Sequence, residues 1–86
     1  MSSSVVEALP LAREVEVTQD ELRVVLADGR RLAVPLAWFP LLQSASPVAR
    51  QRWELLGDGE GIHWPAADED LGVAGLLAGA RGVGSR

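Results

Sequence analysis

The chain has 86 residues, no cysteine, a net charge of -4, and 48% hydrophobic against 23% charged residues. That length holds one domain with a thin stability margin, and that balance belongs to a globular rather than a disordered protein. Without cysteine there is no disulfide framework and no thiolate metal site. The basic residues are all arginine and lie scattered, which argues against direct nucleic-acid binding. No apolar run approaches the ~18 residues of a membrane span, and Met-Ser-Ser-Ser lacks the order of a signal peptide. A small, acidic, soluble, cytoplasmic domain is expected.

Residues 1–13 carry no sustained period and read as a flexible arm. Residues 14–79 read as a single α+β domain, and 80–86 as a flexible Gly-rich tail. From Glu14 apolar and polar residues alternate. Val15 and Val17, then Leu22, Val24 and Leu26, then Leu32, Val34 and Leu36 give three short half-buried strands in an antiparallel meander. Parity sets the turns. A two-residue Asp28-Gly29 loop would put Leu26 across from Arg31 and send the apolar sets to opposite faces. A three-residue loop, Ala27-Asp28-Gly29, pairs Val24 with Leu32 and Leu22 with Val34, and sets Gly29 at a left-handed position. The same parity sets Val17 across from Leu22 and Val15 across from Val24. Glu14, Glu16, Arg23 and Arg31 then share the solvated face.

Pro40 favours an extended or turn-like Trp38-Phe39. Ser46-Pro47 predicts a helix start, with a serine cap and proline at the first helical position. Ala49, Trp53 and Leu56 would share one face of that helix, and Gly57 would end it. After the GDGEG turn, a fourth strand places Ile62 and Trp64 inward and His63 outward, and Pro65 stops it. Leu71 to Ala78 reads as a short last helix with Gly79 as its stop. Asp68, Glu69 and Asp70 would precede it as carboxylates at a helix N-terminus.

His63 with Asp68 or Asp70 resembles an acid–base pair. It lacks a nucleophile: there is no Cys or Tyr, and the serines and Thr18 occupy tails, a cap and a turn. No catalytic residue, cofactor or metal ligand is therefore assigned. Consecutive carboxylates point in different directions, and GDGEG is neither an EF-hand nor a phosphate loop. Trp53 reads as core. Trp38 and Trp64 lie beside prolines at element ends, where a ring can cover a small core or anchor a partner. The residues expected to bear on partner binding are Trp38, His63, Trp64, Asp68, Glu69 and Asp70.

The segments LADGRRLAVPLAWFPLL and SPVARQRWELLGDGEGIHWPAADEDLGVAGLLAG together resemble the bacterial domain-of-unknown-function family 2442. The resemblance covers about residues 14–79. Asp28, Gly29 and Arg30 match its hairpin, and Trp38, Phe39 and Pro40 match its next element. Ser46, Pro47, Arg50, Trp53 and Glu54 match its helix, and Gly61 to Pro65 with Asp68, Glu69 and Asp70 match its acidic signature. Gly72 departs from the pattern, standing where the family tends to have a serine. The resemblance implies a small α+β domain without established catalytic activity. Some members add a C-terminal helix-turn-helix, which this chain is expected to lack. Family genes often neighbour those of another small family, in an arrangement suggestive of toxin–antitoxin pairs.

The expected architecture is a three-stranded meander, a helix, a fourth short strand and a short C-terminal helix. The expected function is a non-enzymatic protein-binding module, the antitoxin-like member of a two-gene pair, with the neighbouring gene product as partner. A homodimer is a further arrangement to test. One alternative is a DNA-associated regulator acting through a dimer or partner. A weaker one is a small-ligand binder or enzyme using His63.

Overall fold

Alternation builds the first sheet. The computed structural model describes residues 10–79, and within them β1 (Ala12–Val17), β2 (Glu21–Leu26) and β3 (Arg31–Pro35) form an antiparallel sheet in that order. Val17 lies opposite Leu22, Val15 opposite Val24, Leu22 opposite Val34 and Val24 opposite Leu32, as parity requires. The β2–β3 loop is Ala27–Gly29: Leu26 N–H donates to Arg30 O at 2.8 Å, and Gly29 has φ +95°. Asp28 accepts from the backbone N–H of Arg30 at 2.9 Å and from its Nε at 2.7 Å, which holds its carboxyl below the usual range. On the solvated face Glu16 and Arg23 stand opposite each other and pair at 3.5 Å.

β1 starts two residues earlier than its alternation suggests. A bulge between Ala12 and Glu14 leaves Arg13 and Glu14 both exposed and turns Ala12 into the core. An extra residue reverses parity locally, so strict alternation hides the first part of the strand. Ala12 and Arg13 thus belong to the sheet. Leu11 is tied to the sheet as well, its carbonyl accepting from Ala27 N–H at 2.8 Å, while residues 1–9 of the expected arm and the expected tail, 80–86, lie outside the described residues.

β3 ends at Pro35, and Leu36 continues inward as the first residue of a 3-10 turn, Leu36–Trp38. A short helix α1 (Pro40–Ser44) follows, with proline in its first turn and Leu42 buried. Ser46 caps α2 (Pro47–Arg50), its Oγ accepting from Ala49 N–H at 3.1 Å. The predicted helix start is present. Its predicted length is not.

α2 ends at Arg50, and residues Glu54–Leu56 form strand β4 of a second sheet. β4 pairs antiparallel with β5 (Gly61–Trp64), which pairs with β6 (Glu69–Gly72). Ala49, Trp53 and Leu56 therefore share no helical face, and Gly57 lies in the β4–β5 turn instead of ending a helix. Asp68 to Asp70 precede no helix N-terminus directly. Asp68 is a turn residue with φ +55°, while Glu69 and Asp70 are strand residues, and helix α3 runs from Val73 to Leu77. Gly72 sits at its cap position with no side chain to offer.

The two sheets and α3 enclose one core. Leu22, Leu36, Phe39, Leu42, Ile62, Trp64 and Val73 are fully buried, and Trp38 and Trp53 pack against it half-buried. Polar ties join the parts. Ala12 N–H donates to Gly59 O at 2.7 Å, Val73 N–H to Glu60 O at 2.9 Å, and Gln51 Nε2 to Val17 O at 2.9 Å. Arg50 donates to Leu42 O and Gln43 O, satisfying carbonyls at the end of α1, and its own carbonyl accepts from Trp64 Nε1 at 3.0 Å.

Candidate functional site

The second sheet gathers most of the candidate residues and sorts them by face. Side chains alternate along a strand, and residues paired across strands share a face. Trp64 and Glu69 are paired and point to the core, at 0% and 1% exposure. Burial removes both from any contact surface. His63 lies opposite Asp70 on one side and Glu54 on the other, so Glu54, His63 and Asp70 form a row across the outer face. Trp38 lies apart, in the 3-10 turn that follows the first sheet.

Within that row His63 Nδ1–H donates to Asp70 Oδ1. This hydrogen bond raises the imidazole pKa, aided by the charges of Asp70, Glu54 and Asp68 against a desolvation effect that lowers it. A carboxylate–imidazole pair can orient or carry a proton, but acyl or phosphoryl chemistry also needs an attacking group and a cavity. The described serines and Thr18 supply none: Ser46 caps α2, and Thr18 Oγ1 accepts from Glu21 N–H in the β1–β2 turn. Among the described residues no group of His, Asp and Glu is placed to hold a metal ion.

Glu69 is the buried acid of the core. One carboxylate oxygen, Oε2, has no hydrogen-bond partner. Desolvation pushes its pKa up, while the backbone N–H of Asp70 draws it down and the charges of Asp70 and Asp68 push it further up.

Sequence reasoning missed β4. All three of its residues are exposed, Leu55 at 36% and Leu56 at 42%. Among the described residues it is an edge strand, hydrogen-bonded to β5 alone. At its N-terminal end a cleft of about 480 Å³ is lined by Arg52, Trp53, Glu54, Pro65 and Ala66. The signal was in the chain. Gly57 to Gly61 alternates glycine with acids between two short apolar segments, which is hairpin punctuation. A second hollow, of about 360 Å³, lies on the first sheet and includes Glu16 and Arg23, whose charges pair with each other.

The family model described as "Protein of unknown function (DUF2442)" matches residues 12–82. A crystal structure of a protein of unknown function from Rhodospirillum rubrum is similar at 33% identity and a TM-score of 0.73. The match covers 86% of this chain and 92% of that one. A solution structure of an uncharacterized protein from Chromobacterium violaceum is similar at 26% identity and a TM-score of 0.71, covering 84% of this chain and 68% of that one. Among curated proteins none matches.

Proposed function

The chain belongs to the DUF2442 family of proteins of unknown function, and on that premise we propose that it is a non-enzymatic, cytoplasmic protein-binding module, the antitoxin-like member of a two-gene pair. One observation carries this reading. The outer face of the second sheet sets the acids Glu54, Asp68 and Asp70 around His63 with Leu56 exposed on the same face, while Leu55 is exposed at the sheet edge on the opposite face. Exposed apolar side chains beside a mainly acidic face are the composition of a contact surface, and the acids favour a basic partner.

Co-expression with the product of the adjacent gene, followed by size-exclusion chromatography, tests it. The two proteins should elute together, and Asp70→Lys should weaken the complex at least tenfold without unfolding the domain, since Asp70 is exposed. Separate elution of two folded proteins, together with a duplex-DNA gel shift that weakens steeply with salt, would replace this reading with a DNA-associated regulator.

A further inference from the structure

We infer that the partner docks by strand addition: an extended segment alternating cationic and apolar residues joins the second sheet along the free edge of β4. This rests on the protein-binding reading above and specifies how that binding occurs. Folded proteins guard sheet edges with lysines, prolines, bulges or covering loops, because an unpaired edge offers backbone donors and acceptors to any extended chain. The edge strand β4 reads Glu-Leu-Leu, and its only strand partner among the described residues is β5. Among the described residues no backbone hydrogen bond covers its outer side.

The occupant's chemistry follows from the rows that an added strand would extend. On the outer face the next position continues Asp70–His63–Glu54 and would meet the Glu54 carboxylate, so a cation belongs there. On the inner face the next position continues Leu71–Ile62–Leu55, where Leu55 stays 36% exposed for want of a neighbour, so an apolar residue belongs there. Cation and apolar residue in alternation are what one strand supplies. The cleft lined by Arg52, Trp53, Glu54, Pro65 and Ala66 gives a flanking, uncharged part of the segment a place to continue. A second copy of this chain fits less well. Each copy carries a net charge of -4, and a three-residue edge paired with itself falls well short of the ~1,200 Å² of a stable interface.

The test uses the full chain, labelled with ¹⁵N, and two synthetic nonapeptides, one alternating Arg and Val and the other alternating Glu and Val. The Arg–Val peptide should shift amide resonances from Trp53 to Leu56 saturably and slow hydrogen exchange in β4 at least tenfold. The Glu–Val peptide should bind at least tenfold more weakly. Leu55→Lys and Glu54→Arg, both at exposed positions, should each weaken the Arg–Val peptide about tenfold, with melting temperature showing that the fold persists. Shifts scattered over the acidic face without exchange protection in β4 would overturn strand addition. So would concentration-dependent dimerisation through β4 that excludes the peptide. Formation of the complex with the adjacent gene product, unaffected by Leu55→Lys, would leave the protein-binding reading standing while removing this inference; the absence of both complexes would remove both.

Discussion

Two glycines with positive φ separate conformational strain from steric exclusion. Gly29, at φ +95°, closes the β2–β3 loop, and a Cβ there would meet nothing within 4 Å. Gly59, at φ +110°, is buried in the β4–β5 turn, and a Cβ there would lie 2.4 Å from the carbonyl oxygen of Ala12. Its own carbonyl accepts the Ala12 N–H that ties the sheets together. A left-handed non-glycine residue costs about 1–3 kcal/mol. Gly29→Ala should therefore lose about 1 kcal/mol, and Gly29→Asn less, since asparagine tolerates that region best. Gly59→Ala adds displacement of backbone to the strain and should lose more than about 3 kcal/mol. Chemical denaturation of the three variants checks the order. Equal losses for the two alanine variants would mean the sheets separate freely at Gly59.

At the scale of elements, β6 brings together two acids with opposite surroundings. Asp70 faces outward and is hydrogen-bonded to His63; Glu69 faces the core with an unpartnered oxygen. The signs agree. His63 is raised, so its stabilising contribution is full below the ordinary histidine value and is lost as pH rises through the folded value. Glu69 is also raised, so the fold favours its neutral form, and stability falls as pH rises from the ordinary glutamate value through the raised one. The melting temperature should fall from mildly acidic to mildly alkaline pH. Glu69→Gln should flatten the lower part of that slope and add on the order of 1 kcal/mol at neutral pH. Asp70→Asn should bring the His63 titration, followed by NMR, down toward its ordinary value. An unchanged His63 titration would show that the pair does not form in solution. The same strand shows where sequence reading stops. Period two was clear in the meander, where the strands have two or three apolar beats and the loop parity is constrained. In β4 and β6 the strands are too short to beat. Trp53 and Leu56 happened to fall at helical spacing from Ala49, and the three acids resembled a helix start, so local patterns favoured helix twice where cross-strand pairing with β5 decided the outcome. The outer side of the second sheet was half legible: His63 was placed outward correctly, but Leu55 and Leu56 become an exposed edge only once β4 exists.

For the molecule as a whole, each sheet consists of consecutive strands joined by short turns, while the ties between sheets connect distant parts of the chain. The hydrogen bond from Gln51 to Val17 O spans 34 positions. Short-range hairpins close in microseconds, whereas long loops must first lose chain entropy. The two sheets are therefore expected to exist, each incomplete, before they meet. Gln51→Ala, which strands the Val17 carbonyl at a cost of about 1 kcal/mol, should accelerate unfolding about fivefold and leave the refolding rate unchanged in stopped-flow measurements. A slowed refolding arm would instead place this tie in the transition state. If the tie forms late, the lifetime of the native state is set at the seam between the sheets. Residues there govern how long a molecule survives a protease, even where they contribute little to how fast it is made.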